Sequence, residues 1–366
     1  MKILAIDIGT GTQDILLFDT SIEVENCLQI VMPSPTVLVA NRIKAATARG
    51  EPVLLTGMIM GGGPSAWAAE AHVRRGYPVY ATPGAAMSFN DELAEVEKSG
   101  IRVVSEDEAA RLDARHITLR DLDLDAIARA FDAFGVPLRY DALAVAVFDH
   151  GNSPPGYSDR LYRFDFLAER IGATGRLSGF AFMRDAIPAR LTRMQAVAQS
   201  VPDVGPLMLM DTGPAAILGA LDDDRVRAHP TAVVANLGNF HTLAFCFHEG
   251  RIMGLFEHHT GELQQEQLEG FLRDLVAGTL THAAIFNSQG HGALILDRRG
   301  APVDFYAVVG PRRGLLLHSA LHPYFAVPYG DMMLAGAYGL VRAYADLNPN
   351  ARDEIEHALA AARETT

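Results

Sequence analysis

Cysteine is almost absent from this chain. Only Cys27 and Cys246 occur in 366 residues. Two distant cysteines form no secreted disulfide framework and cannot alone ligate an iron–sulfur cluster. Basic charge is also scarce, with 31 Lys and Arg against 44 Asp and Glu and a formal net charge of −13. That balance argues against a nucleic-acid partner, because no Lys/Arg cluster is available to neutralise a phosphate backbone. Apolar runs stay well short of the roughly twenty residues of a membrane-spanning helix, and the chain opens directly on a strand-like run without the features of a secretion signal. The expectation is a cytoplasmic protein without a membrane partner. Tryptophan occurs once, and Trp67 reads as a core residue on the apolar face of a helix.

What is present suits an α/β protein: 49% hydrophobic residues, 20% charged residues, 33 Gly and 19 Pro. A chain of 366 residues exceeds the usual reach of one hydrophobic core. Two domains are expected, 1–221 and 222–366, with the polar stretch Asp222–Pro230 as the crossing.

The opening MKILAIDIGTGTQDILLFD places two apolar, strand-like runs around Gly9-Thr10-Gly11-Thr12-Gln13-Asp14. A turn with two glycines lets backbone N–H groups approach an anion without Cβ interference, and threonine hydroxyls add donors. Asp7 ends the first run and suits a hydrated Mg²⁺ on a bound phosphate. A phosphate-binding hairpin is therefore expected, against an ordinary hairpin with a polar turn. Asp14 is given a lesser role, with pairing to a neighbouring strand as its alternative.

Strand and helix patterns then alternate as a parallel sheet covered by helices requires. Thr36–Ala40, Val53–Thr56, Val79–Ala81, Ile101–Val104 and Ala142–Phe148 read as strands. Helices are expected at 41–49, 65–75, 90–99 (with Asn90 as N-cap) and 124–134. Gly61-Gly62-Gly63-Pro64 before a helix is either an anion site or a tight turn. Residues 151–205 carry no motif beyond two expected helices.

The second half starts as the first did, with apolar strand 231–237, polar turn 238–241 and returning strand 242–247. Asp149-His150 ends a strand, a common place for chemistry in α/β proteins, or forms a polar turn. Glu257-His258-His259-Thr260 is the most suggestive histidine group. Neighbouring strand residues face opposite ways, so only one of His258 and His259 can face a cleft. A metal held by His241, His258 or His259, and His291 is one reading. Contact with substrate or phosphate, or proton shuttling, is the preferred role of Glu257 and these histidines.

Two strand–turn–strand units, each leading to a small-residue helix, resemble the actin / sugar-kinase / hexokinase ATPase superfamily. The resemblance implies a two-domain α/β fold of the actin-like (ribonuclease H-like) ATPase type with an interdomain cleft. The opening hairpin, with Gly9, Thr10, Gly11 and Thr12, is similar to its first phosphate motif. Residues 233–245, with Asn236, Gly238, Asn239, His241 and Thr242, are similar to the second, and Tyr306–Arg313, with Gly310, to the adenosine motif. Helices 213–221 and 331–345 are similar to its crossing helices. Asp211 then ends a strand facing the cleft, or caps the helix that follows it. Two departures stand out: Asn236 replaces the usual Asp, and Pro311 follows Gly310 where paired glycines are usual. They argue against fast ATP turnover while leaving ATP binding intact.

More narrowly, the runs at Met60–Pro64, Ala81–Asp91 and Glu257–Gly261 resemble an uncharacterised prokaryotic family labelled "putative pyruvate formate-lyase activating enzyme". Radical S-adenosylmethionine chemistry of that kind needs three clustered cysteines, which this chain lacks. The implied function is an ATP-dependent kinase (phosphotransferase) or ATPase acting on a small-molecule substrate. ATP and Mg²⁺ are its cofactors, Asp7 holds the metal, and Asp211 or Asp149 is the base. The alternatives are a nucleotide-regulated interaction protein without such a substrate and a metal-dependent hydrolase on the same fold. A homodimer is the one protein partner admitted.

Overall fold

The computed structural model describes residues 1–203, 205–300 and 302–364. The chain builds the same sheet twice. In the first, β1 (Lys2–Ile8), β2 (Thr12–Asp19) and β3 (Leu28–Pro33) form an antiparallel meander. Parallel strands β8 (Ala142–Val147) and β10 (Leu207–Asp211) extend it beside β1, and β9 (Ala181–Met183) closes the edge, giving the order β3-β2-β1-β8-β10-β9. In the second, β11 (Ala232–Leu237), β12 (His241–His248) and β13 (Arg251–His259) form the meander. The parallel strands are β15 (Tyr306–Val309) and β16 (Tyr324–Phe325), and β14 (Gly292–Ile295) lies outside β13. Both sheets share a meander followed by parallel strands on the far side of its first strand. This doubled order is the two-lobed α/β arrangement of the actin-like type. Strands β1 and β8 are buried on both faces, which is why they read as unbroken apolar runs.

Between β3 and β8 a smaller parallel sheet is inserted, ordered β6-β5-β4-β7. Its strands are β4 (Val53–Gly57), β5 (Val79–Ala81), β6 (Ile101–Val103) and β7 (Arg115–Leu119). Helices Pro35–Arg49 and Pro64–Arg74 pack together over its separate core of Val39, Ile43, Leu55, Ala69 and Ile117.

The expected strand at 36–40 is instead the start of helix Pro35–Arg49. Ser34 caps it by accepting from the Val37 N–H, and Pro35 presets the first-turn φ, which outweighs the β-branched Thr-Val-Leu-Val signal. Asn90 caps no helix: its side chain accepts from the Glu92 N–H, and the helix runs Leu93–Lys98. Strands β3 and β7 were not among the expected elements. Strand β3 is an exposed edge without an inward face, so no apolar period marks it.

Two helices join the lobes by crossing between them. Helix Thr212–Ala220 leaves the first sheet and packs on β11, β12 and β15, while Ala335–Leu347 returns to pack on β1, β2 and β8. They meet at glycines. A Cβ on Gly219 would overlap the Ala335 carbonyl, and one on Gly339 the Ala215 carbonyl. No helix among the described residues is long and apolar enough to cross a membrane.

Gly339→Ala should destabilise the protein by about 1–3 kcal/mol, because backbone at the crossing must move to admit one methyl group. Gly270→Ala, at a helical site with nothing within 4 Å of the new methyl, should stabilise it by roughly 0.5–1 kcal/mol. Urea melts of both variants check the pair, and equal effects would contradict the close crossing.

Candidate functional site

The turns Gly9–Thr12 and Gly238–His241 open onto one cavity of about 830 Å³. Each is closed by the same bond: Gly9 N–H to the Thr12 carbonyl at 2.9 Å, and Gly238 N–H to the His241 carbonyl at 2.9 Å. The turns nearly touch, since a Cβ on Gly11 would come within 2.6 Å of Asn239 Nδ2. Ser34 braces the first turn, donating its N–H to the Gly11 carbonyl at 3.0 Å and its hydroxyl to the Thr10 carbonyl at 2.7 Å.

Hairpin register makes Asp7 and Asn236 equivalent, each separated from its turn by one apolar residue, Ile8 or Leu237. Asp7 pairs across the strands with Asp14, and both carboxylates are buried. Thr212 donates its hydroxyl to Asp7 Oδ1 at 2.6 Å. Burial pushes the Asp7 carboxyl up to about 7 against that hydrogen bond, with Asp211 adding to the rise. Burial and then the neighbouring Asp7 push Asp14 up to about 8. Asp14 Oδ1 has no hydrogen-bond partner, and no Lys or Arg among the described residues forms an ion pair with either acid. Gly336 makes room for Asp7, since a Cβ there would overlap its carboxylate.

Gly310 follows β15 with φ +97, and a Cβ there would lie 2.6 Å from Asn236 Oδ1, so glycine serves both the conformation and the approach. Its N–H donates to Met332 Sδ at 3.2 Å. On the same side, β12 and β13 pair His241 with His259, and the His291 N–H donates to the Glu257 carbonyl at 2.9 Å. Burial, then neighbouring histidines, hold His241 and His291 well below the usual imidazole range, hence neutral.

A family profile described as "Putative pyruvate format-lyase activating enzyme (DUF1786)" matches residues 60–315. The chain belongs to this family. No curated protein matches the sequence. Among solved structures, it is similar to the ethanolamine utilization protein EutJ from Carboxydothermus hydrogenoformans at 13% identity, covering 93% of this chain and 89% of that one, with a TM-score of 0.29. It is also similar to the ROK hexokinase from Thermus thermophilus at 13% identity, covering 95% of this chain and all of that one, with a TM-score of 0.31. The doubled strand order by itself gives the actin-like arrangement.

In this family member the cavity wall holds Asp7, Gly9, Thr10, Gly11, Thr12, Asp149, Asn236, Gly238, Asn239, His241, Glu257, His259 and Gly310. Several expected site residues lie elsewhere. His258 faces away: its Nδ1 meets the His259 carbonyl, its Nε2 meets Ser288 Oγ, and its ring packs on Phe271. Thr242 is likewise turned inward, 2.9 Å from Thr260 Oγ1. Strand alternation explains both, because His241 and His259 take the cleft face. His291 is buried just behind the wall, with its ring centroid 4.5 Å from that of His259.

Neither expected base is free. Asp149 accepts the Gly151 N–H at 2.8 Å on one oxygen and the Met194 N–H at 2.9 Å on the other. Asp211 is fully buried, caps helix Thr212–Ala220 through the Gly213 N–H, and is ion-paired with Arg163. Trp67 is not core: it is 57% exposed at the cleft, its ring 5.3 Å from that of Phe240 in the second turn. Gly61, Gly62 and Gly63 line the cleft, held by the Gly61 N–H on Asp121 Oδ1 at 3.1 Å.

Sequence reasoning missed Arg163 and Arg193. The fully buried Arg163 grips both oxygens of Glu257 at 3.0 and 2.9 Å, bonds Asp211, and donates to the Asp149 carbonyl at 3.2 Å. Its guanidinium lies 4.4 Å from the centre of the Phe148 ring. Burial alone favours the neutral form, but Asp211 and Glu257 outweigh it and raise Arg163 above the usual arginine range. The available signal was a cation on the stripe that carries Leu167 and Ile171 in helix Asp159–Thr174. Arg193 clamps Asp121 at 2.6 and 2.8 Å and donates to the Phe148 carbonyl at 2.6 Å, tying the inserted sheet to β8.

Asp7 and Asp14 bind protons more tightly folded than unfolded, where Asp titrates near 3.8. Between about pH 4 and pH 8 the unfolded chain therefore holds fewer protons, and their contribution to stability falls as pH rises. In EDTA, Asp14→Asn should raise the melting temperature clearly at pH 8.5 and hardly at pH 5. An equal shift at both pH values would contradict the raised carboxyl. Arg163→Met should cost about 3–5 kcal/mol by leaving two buried carboxylates unpaired. Adding Asp211→Asn and Glu257→Gln should recover most of that loss, which denaturant melts would measure.

Proposed function

We propose that the protein binds ATP with Mg²⁺ in the cleft and acts as an ATP-dependent phosphotransferase or ATPase on a small molecule. The observation that carries this reading is the pair of like-built glycine turns facing each other across one cavity. Their N–H groups and the hydroxyls of Thr10 and Thr12 suit phosphate oxygens, and Gly310 with Arg312 suits the nucleoside end.

The residues also fit the cation. Asp7 and Asp14 bring two buried carboxylates together, and the unpartnered Asp14 Oδ1 is the oxygen a hydrated metal would satisfy. Such a metal neutralises charge developing on transferred phosphate. The protein's own part is positioning: turns that fix the phosphates, crossing helices that allow closure, and a glycine lip at 61–63 that narrows the opening. Asp149 and Asp211 are both engaged, Asp149 with two backbone N–H groups and Asp211 with Arg163 and the Gly213 N–H. The activity in the family's label is not carried over, since Cys27 and Cys246 are both buried, in different lobes, and no third cysteine exists.

Asn236 favours a second reading, a nucleotide-regulated interaction module without a small-molecule substrate. An amide hydrogen-bonds water but adds no charge and is no general base.

Millimolar Mg-ATP or Mg-ADP should raise the melting temperature by mass action. Asp7→Asn should weaken the Mg-dependent part of that shift, and Asn236→Asp should raise basal phosphate release. No thermal shift with any nucleotide would overturn the nucleotide reading. A shift with no turnover in either wild type or Asn236→Asp would favour the interaction module.

A further inference from the structure

We propose that His241, His259 and His291 form a binding site for one divalent transition-metal ion, with its open coordination position facing the cleft. The site uses none of the residues assigned to Mg²⁺ and shares only His241, the last residue of the second turn, with the phosphate cradle.

Each of the three offers one ring nitrogen, and these nitrogens lie within 4.8 Å of one another. Tetrahedral coordination with bonds of about 2.1 Å needs them about 3.4 Å apart, so a bound ion would draw them together by at most about 1.4 Å. The rings are held rather than loose. His241 stacks on Phe148 with centroids 3.9 Å apart and planes 6° from parallel. His259 Nδ1 lies 2.7 Å from the Gln289 carbonyl, which only accepts, so Nδ1 carries a proton and Nε2 is the nitrogen that can ligate. Gln289 presents that carbonyl from a left-handed backbone with φ +73, uncommon for a residue with a side chain. His291 is almost completely buried, and its Nδ1 has no hydrogen-bond partner among the described residues. Glu257 Oε2 lies 3.8 Å from that nitrogen, though Arg163 holds both oxygens of this carboxylate.

An all-imidazole set selects Zn²⁺, Co²⁺, Ni²⁺, Cu²⁺ or Fe²⁺ over Mg²⁺ and Ca²⁺, which prefer oxygen. Three protein ligands leave a position for water or an anionic oxygen of a cleft ligand, as at sites where a metal serves chemistry and not only structure. His241 and His259 line the cavity, so that position is reachable from it.

The test uses the full chain, stripped with EDTA and dialysed free of it. Titration with Co²⁺ should develop d–d absorption that saturates at one equivalent per chain, persists in excess Mg²⁺ and is displaced by Zn²⁺. His259→Gln and His291→Gln should each weaken Zn²⁺ affinity by about tenfold or more. His116→Ala, at an exposed histidine on β7, should leave it unchanged. Melting in EDTA reports the fold of each variant, and if His291→Gln does not fold, the half-exposed His259→Gln decides. No saturable Co²⁺ spectrum, or wild-type affinity in a folded His259→Gln, would overturn the site.

Discussion

One guanidinium holds the two lobes in register. Arg163 comes from a helix of the first lobe, Asp211 ends the last parallel strand of that lobe, and Glu257 lies on β13 of the second. All three are buried, so their pairing is weakly screened and strongly directional. Desolvating such a cluster is costly, and its net contribution to stability need not be large. Its effect is specific: it fixes β13 of the second lobe against helix Asp159–Thr174 of the first. The same cluster sets the floor of the cleft, because Arg163 also stacks on Phe148, which in turn stacks on His241.

On that floor the chain places two different kinds of polar group. One wall carries oxygen, in the cross-strand pair Asp7 and Asp14 with the Thr212 hydroxyl. The other carries nitrogen, in His241 and His259 with His291 behind them. Hairpin duplication explains the split. Asn236 occupies the place of Asp7 and Leu243 the place of Asp14, so the second lobe keeps the turn and loses the acids. A hard, oxygen-preferring cation suits the first wall and a softer one the second. The inserted sheet contributes the rim, where Trp67 rests against Phe240 and Arg193 anchors the glycine loop through Asp121.

Much of this was legible in the residues alone because it depends on local order. Apolar runs broken by glycine turns specify hairpins wherever they occur, so β1–β2 and β11–β12 were readable, and their repetition implied two like lobes. The first turn, with Asp7 before it, was readable for the same reason. Strand alternation limited His258 and His259 to one cleft residue between them, yet without the register nothing chose between the two. Tertiary structure decided what depends on residues far apart. Pairing His241 with His259 across the strands selected His259; caps and ion pairs from distant segments engaged Asp149 and Asp211; and Ser34 with Pro35 overrode a β-branched run that reads as a strand. Arg163, ordinary in the sequence, became central because only folding brings two acids from separate lobes to one buried cation.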